Sequence, residues 1–338
     1  DNGVIGTLGI SKVDKKSINT TPDIFSIYSS LEEYNNQGIK IAIIEASSHA
    51  LLQNRLEGLS FIQGIFTNLT QDHLDYHETM DNYREAKVKL FKNDFSKKAI
   101  INRDDESHQY FLDNASDKNP ITFGLDDLEF FKNSENGFIC QLNNYVFELP
   151  LVGEFNLSNA MAAYQSVKCL GYSDDQIIPF LAKLSPPPGR MQQLENSHIW
   201  IDYAHTPDAL DNALSTLKTH YPEFKIRVLF GCGGDRDKGK RQIMGKIASE
   251  TADSIILTND NPRSEDPQSI VNDILAGTKV ENDVQVILDR GDAIKSAVQT
   301  LGEEEALLVA GKGHETTQVI GSKTLQFSDI EVALNALN

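Results

Sequence analysis

Short runs of apolar, often β-branched residues alternate along the chain with longer segments of mixed polarity. Ile39 to Ile44 reads as a buried strand and Gly64 to Phe66 as another. The polar stretch Thr67 to His77 follows. Asp81 to Phe91 has helical spacing, with Tyr83, Val88 and Phe91 available for one face. Lys98 to Asn102 predicts a further strand. From 105 to 150 the runs are short and alternating, as in Tyr145 to Leu149, and Asn- and Gly-containing turns separate them. This pattern predicts a small hairpin region. Asn156 to Leu170 predicts a helix in which Ala160, Ala162 and Ala163 permit close packing.

Ser185-Pro186-Pro187-Pro188-Gly189 interrupts the pattern. Its prolines fix φ and remove backbone donors, so neither helix nor strand continues through it. The chain is therefore expected to divide into domains at 1–185 and 186–338. Beyond the break come strand-like runs at Ile199 to Tyr203, Ile226 to Phe230, Ser254 to Thr258, Val284 to Leu288 and Ala306 to Ala310, with helical segments between them. This βα alternation predicts an α/β fold with a parallel, doubly wound sheet.

Composition narrows the class. The formal charge of −18 argues against non-specific nucleic-acid binding, although clustered Arg and Lys can still favour an anion locally. The apolar runs are strand-sized, short of the roughly 20 residues that span a bilayer. The three cysteines, Cys140, Cys169 and Cys232, are irregularly spaced, which suits a reducing cytoplasm better than a disulfide framework or a zinc site. The chain opens at Asp1, without Met and in mid-pattern, so a preceding segment is expected.

Several polar clusters fall just after predicted strands, where open α/β sheets bind ligands. Glu45-Ala46-Ser47-Ser48-His49 offers a carboxylate for Mg²⁺ beside phosphates, or else a helix cap at Ser47 or Ser48. The stretch ending Asp72-His73-Leu74-Asp75-Tyr76-His77 has two His and two Asp within six residues, yet matches no zinc spacing. Asp202-Tyr203-Ala204-His205-Thr206-Pro207-Asp208 is a third cluster. In Gly231-Cys232-Gly233-Gly234-Asp235-Arg236-Asp237-Lys238-Gly239-Lys240-Arg241 the glycines permit close backbone approach and the basic residues can bind anions. That run is neither a dinucleotide fingerprint nor a P-loop. Asp260-Asn261-Pro262-Arg263 and Gly311-Lys312-Gly313-His314-Glu315 complete the set. Each alone also reads as an ordinary polar loop, and their common position at strand ends gives them weight.

In order, these motifs resemble the Mur ligase family of peptidoglycan biosynthesis, over essentially the whole chain and closest to members that add the third residue of the stem peptide. The resemblance implies a central ATPase domain followed by a Rossmann-like C-terminal domain. It also implies a cytoplasmic, monomeric enzyme with no nucleic-acid or membrane partner. The family's P-loop would precede a segment like Val4 to Gly9, so both the P-loop and the UDP-binding domain before it are expected upstream. These 338 residues alone are therefore expected to have little or no activity.

The resemblance also implies site roles. Thr20, Thr21, Ser47, Gln53 and Arg55 would contact UDP-N-acetylmuramoyl-L-Ala-D-Glu, where the Arg55 fork suits a carboxylate. Glu45 and His73 would hold Mg²⁺, together with Lys87 as a carbamate; the plainer reading of Lys87 is an exposed helical lysine. Asn156, Asn159, Arg190, Asp202 and His205 would bind ATP, although Asn156 is also a candidate helix N-cap. Arg236, Asp260, Asn261, Pro262, Arg263, Gly311 and Glu315 would bind meso-diaminopimelate. Two arginines facing a distal carboxylate would repel the ammonium of lysine. The reaction implied is amide formation through an acyl phosphate. Other ligases of the superfamily, either lysine-adding or folylpolyglutamate-forming, remain alternatives, as does a non-catalytic amino-acid-binding fragment.

Overall fold

Parallel strands with both faces buried need near-continuous apolar runs, and the second half of the chain supplies them. In the computed structural model, which describes residues 2–13, 19–70, 72–92, 95–134, 136–194, 197–279 and 283–337, these runs form a six-stranded sheet. Gln71 and the side chain of Asp75, both in the polar stretch considered above, lie outside the described residues. The chain groups into two units. One comprises 1–129, 142–145 and 157–181; the other comprises 130–141, 146–156 and 182–338. The segments 130–141 and 146–156, placed with 1–185 in the sequence reading, group with the second unit.

The first unit holds two three-stranded sheets. In one, β1 (Asn2–Gly6) pairs antiparallel with β2 (Gly9–Ile10) and parallel with β3 (Ile41–Ile44). The run Ile39 to Ile44 does form a strand, but not the buried one expected: β3 lies at the edge of this sheet with Ile41 and Ile43 exposed. In the other, β4 (Gly64–Phe66), β5 (Ala99–Asn102) and β6 (Ile121–Phe123) are parallel. Helix α1 (Ile24–Asn36) starts where Asp23 accepts from Ser26 N at 3.0 Å. The short helices α2 (Ser48–Leu52) and α3 (Leu74–His77) follow β3 and β4. Helix α4 (Met80–Val88) passes into a 3₁₀ turn at Lys89–Phe91. A helix of this length is marginal alone. It is held by burial of Tyr83, Val88 and Phe91, the face its spacing predicts. Each such side chain contributes about 1.5–3 kcal/mol when fully buried. Helices α5 (His108–Asn114), α6 (Glu154–Cys169) and α7 (Asp174–Leu181) complete the set, although the first residues of α6 group with the second unit.

Two further sequence expectations need correction. Residues 105–127 are not hairpin: they form α5 and the parallel strand β6, a three-residue β-branched and aromatic run too short to stand out. Hairpin structure begins only at β7 (Phe130–Ser134), which pairs antiparallel with β8 (Gly137–Leu142), and β9 (Tyr145–Leu149) completes that sheet. The second correction is that Asn156 is not an N-cap. It lies in the first turn of α6, and its side-chain amide donates to Val152 O at 2.8 Å.

The sheet of the second unit runs β10-β11-β15-β12-β13-β14. Here β10 is Gln192–Gln193, β11 is Ile199–Asp202, β12 is Lys225–Phe230, β13 is Ser254–Leu257, β14 is Asp283–Val286 and β15 is Glu305–Ala310. All pairs are parallel except β10 with β11. Alternation sorts the side chains between two faces. Trp200, Val228, Phe230, Ile255, Leu257 and Leu308 enter one core with residues of α8 (Pro207–His220), α9 (Gly239–Thr251) and α10 (Pro267–Leu275). Ile199, Ile201, Leu229, Ile256, Leu307 and Val309 enter the other with α11 (Arg290–Gln299) and α12 (Asp329–Leu337). The chain returns to insert β15 between β11 and β12, so the strand order switches there. A hairpin of β16 (Thr317–Ile320) and β17 (Lys323–Gln326) follows β15. None of the described helices is long and apolar enough to cross a membrane.

Candidate functional site

In the first unit, the loop after β3 gathers the residues expected to meet the acceptor. Ser47 caps α2, as its position predicts, by accepting from Ala50 N at 3.3 Å. Thr21 is fully buried; its Oγ1 donates to Glu45 O at 2.6 Å and accepts from Ser47 N at 3.0 Å. Thr20 Oγ1 lies 3.1 Å from Thr7 Oγ1. Thr7 gives both its amide (3.0 Å) and its hydroxyl (2.7 Å) to Glu45 Oε2. Arg55 donates to Thr21 O and, through Nε, to Gln53 Oε1, both at 2.9 Å. Gln53 in turn donates to Tyr76 Oη at 2.9 Å. Thr20, Thr21, Ser47, Gln53 and Arg55 thus belong to one hydrogen-bonded network with Glu45.

His73, Lys87 and Tyr83 form the neighbouring group. His73 adopts a left-handed backbone, φ 55°, a conformation that costs free energy and concentrates at functional sites. Its ring packs edge-on against His49, with centroids 4.9 Å apart, and its Nε2 is 3.5 Å from Asp72. Lys87 is half-buried rather than an exposed helical lysine, and its Nζ lies 5.1 Å from the centroid of the Tyr83 ring. Burial holds the Lys87 amine below the ordinary lysine range, against the opposing pull of Asp105 and Asp72. Burial and the Asp72 charge push the Tyr83 phenol up to about 12. Among the described residues, no three His, Cys, Asp or Glu converge to hold a metal ion. Glu45 and His73, the expected metal donors, therefore do not by themselves make such a group.

The ATP-side expectations fall on two elements. Asn156 and Asn159 sit one turn apart on α6. In the second unit, Asp202 ends β11 buried; its oxygens accept from Met191 N at 2.7 Å and Ala204 N at 2.8 Å. Burial nonetheless raises its carboxyl above the usual range. Asp202 thus fixes the turn that presents Arg190, whose guanidinium lies 4.7 Å from the centroid of the Tyr203 ring. His205 packs on the same ring at 4.6 Å.

The third group lies at the carboxyl ends of β13 and β15 and is the most tightly built. Asn261 donates to Glu315 Oε2 at 3.1 Å. Lys312, fully buried, gives its ammonium to the same oxygen at 2.7 Å and to Asn261 Oδ1 at 3.3 Å. The loop is backed by the β16–β17 hairpin: Val319 N donates to Asn261 Oδ1 at 2.9 Å, and Gln318 donates to Asp260 O at 2.7 Å. Arg263 has φ 51°, held by Arg263 N to Val319 O at 3.1 Å and Gly321 N to Arg263 O at 2.7 Å. Gly311 has φ 117°, and a Cβ there would fall 2.8 Å from Asp260 Oδ2. The glycine run does approach closely: a Cβ on Gly234 would sit 1.9 Å from Pro262 O. One on Gly233 would meet Arg263 Nη1 at 2.9 Å and Arg236 Cγ at 3.6 Å, so the two arginines flank this glycine.

Not all the basic residues of that run are free for anions. Arg241 is fully buried and bound to Glu265 and Asp273, each at 2.9 Å, while Lys240 donates to His205 O at 2.8 Å. Arg236 is exposed, and its Nη1 lies 3.5 Å from Asp235 O. Cys232 is buried and its thiol is pushed up to about 12 by burial, which disfavours the thiolate. The sequence reading assigned no role to Lys312 or Arg290. A groove of about 490 Å³ between β7–β8 and α8 contains none of the expected site residues and stands apart from this chemistry.

One unit is a doubly wound α/β fold with a polar cluster at its strand ends, and the other carries a polar network in the loop after β3; this is the class of an α/β ligase. The chain matches the Mur ligase middle domain over residues 1–167 and the Mur ligase glutamate ligase domain over residues 189–313, and it belongs to the Mur ligase family. A UDP-N-acetylmuramoyl-L-alanyl-D-glutamate--2,6-diaminopimelate ligase of Coxiella burnetii (strain RSA 493 / Nine Mile phase I) is 41% identical over 99% of this chain and 72% of its own length. The ligase of the same name from Rickettsia rickettsii is 40% identical over 97% and 72%. A solved structure of a ligase of that name superposes with a TM-score of 0.69 at 36% identity, covering 99% of this chain and 72% of its own. A Mycobacterium tuberculosis folylpolyglutamate synthase, 18% identical with a TM-score of 0.65 over 88% and 71% of the two chains, shares the fold.

Proposed function

We propose that this protein serves the ATP-dependent ligation of meso-diaminopimelate to UDP-N-acetylmuramoyl-L-Ala-D-Glu in peptidoglycan biosynthesis. The observation that carries this reading is the cluster of Asp260, Asn261, Arg263, Gly311 and Glu315. Carboxylate and amide groups suited to an ammonium lie there beside the Arg263 and Arg236 pair, which suits a distal carboxylate. Lysine has no such carboxylate and would place a cation against those arginines.

The acceptor carboxylate attacks the γ-phosphorus of ATP and the bond to ADP breaks, leaving an acyl phosphate. The neutral amine of diaminopimelate then attacks the acyl carbon; phosphate leaves and the amine proton is lost. In the first unit, Arg55 with Thr21 and Ser47 orients the acceptor. In the second unit, Arg190, stacked on Tyr203 and set by Asp202, would meet the nucleotide with His205; Asn156 and Asn159 of α6 are the further nucleotide contacts that the family reading assigns. Positioning of this kind lowers the barrier by removing orientational freedom before reaction. Mg²⁺ enters with ATP, as part of that substrate. Glu45, His73 and a carbamylated Lys87 would hold that ion, which would screen the phosphate charge.

Calorimetric titration of the chain with meso-diaminopimelate and with L-lysine tests the reading. Diaminopimelate is expected to bind, and lysine about 10-fold or more weakly, the size of a lost charged hydrogen bond. Equal affinity for the two, or no binding of either, rejects it.

A further inference from the structure

Both loops of the amino-acid cluster rest on one buried side chain that makes no part of it. Arg290, the first residue of α11, is 1% exposed. Its Nε and Nη2 donate to the two oxygens of Asp329, each at 2.7 Å. Asp329 opens α12 and is itself fully buried. The remaining donors reach main-chain carbonyls: Nη2 to Ala310 O at 2.9 Å and Nη1 to Asn259 O at 3.3 Å. Ala310 is the last residue of β15, directly before Gly311. Asn259 directly precedes Asp260. Strands β15 and β13 are not neighbours, because β12 lies between them. Both pair with β12, through Leu257 and Val309, and the two loops begin where that ladder ends.

The geometry points to Arg290 as the positioning residue that sets the spacing of the Asp260–Arg263 and Gly311–Glu315 loops, with Asp329 holding its guanidinium in the bridging orientation. A buried cation is costly unless fully paired, and a hydrophobic replacement could stabilise the fold as well. What a hydrophobic side chain cannot do is bind two carbonyls and a carboxylate at fixed angles. Lysine keeps the charge but lacks the planar fork. The close approach of Asp260 Oδ2 to the Gly311 backbone leaves little room for the loops to drift without changing the site.

This inference rests on the diaminopimelate reading of the cluster, and the test separates the two. Wild type, Arg290→Lys and Asp329→Asn are titrated with meso-diaminopimelate, with circular dichroism and thermal melting recorded on the same samples. If Arg290 positions the loops, both variants remain folded at the titration temperature and bind about 10-fold or more weakly, although neither residue touches the ligand. Should Arg290→Lys melt too low, Asp329→Asn breaks the same bridge from the other side and decides the question. A purely structural role predicts a lower melting temperature with wild-type affinity in the folded protein, and that result overturns the inference alone. Absence of binding by wild type overturns the diaminopimelate reading, and the inference with it.

Discussion

Asn261 donates its side-chain amide to Glu315 Oε2 at 3.1 Å, tying the loop after β13 to the loop after β15. Its carbonyl oxygen accepts from Lys312 and from Val319 N. The amide orientation is thereby fixed by three partners of different kinds: an ammonium, a backbone amide and a carboxylate. Aspartate has the same shape but would set a second carboxylate against Glu315. Asn261→Asp is expected to weaken diaminopimelate binding at least as much as Asn261→Ala, which leaves buried groups unpaired at about 1–3 kcal/mol. Titration calorimetry on both variants measures this, and wild-type affinity in Asn261→Asp would contradict it.

Arg263 is held in a left-handed backbone conformation by the β16–β17 hairpin, and its Nη1 donates to Gly234 O at 2.8 Å. Arg236, across Gly233, is exposed. Arg263→Ala removes one of the two cations proposed to read the distal carboxylate. Diaminopimelate affinity is expected to fall about 10-fold or more, while lysine affinity stays level or rises as repulsion is relieved. A parallel loss of both ligands would show that Arg263 organises the loop without reading the carboxylate.

The positions of these loops were legible in the sequence, and their internal wiring was not. Asp260-Asn261-Pro262-Arg263 and Gly311 to Glu315 stand out because they follow β-branched runs, and strand ends in such sheets gather ligands. The observed strands fall within a residue or two of the runs that predict them; burial on both faces demands such sequence in β11, β12, β13 and β15, whereas β3 and β14 carry apolar runs that are largely exposed. The buried cations were hidden because their partners are distant: Arg241 meets Asp273 and Arg290 meets Asp329. Neither pairing leaves a local pattern. The same holds for β6 and the two-residue β10, which are too short for a periodic signal and exist because neighbouring strands offer an edge.

Acid sensitivity follows from Glu265. Hydrogen bonding to Arg241, and then to the Asp235 amide, lowers its carboxyl from 4.5 to about 2. Above the unfolded value both states are ionised and the full stabilisation is present. As pH falls through 4.5 the unfolded chain protonates first, so stability declines until the folded carboxyl protonates near 2. Glu265→Gln removes this contribution. Melting temperature followed from pH 6 downward should therefore fall less steeply in the variant, from a lower starting value. Identical slopes would place the acid sensitivity elsewhere.

Lys87 offers a chemical test of the neighbouring unit. Carbamylation requires a neutral amine: the nitrogen attacks CO₂, loses a proton and becomes a carbamate anion. Burial favours this by holding the amine below the ordinary lysine range, and the Tyr83 ring face 5.1 Å away gives the nitrogen an apolar neighbour. The anion would supply the oxygen donor that Glu45 and His73 lack. Carbon-13 bicarbonate added to the folded protein is expected to give a slowly exchanging carbamate resonance that grows as pH is raised and the neutral amine increases. Arg cannot form a carbamate under these conditions, so Lys87→Arg should lose the signal while keeping the fold. If the resonance persists in Lys87→Arg, it belongs to another amine. If wild type gives none at mildly alkaline pH, Lys87 acts as a cation above Tyr83 and the carbamate reading fails.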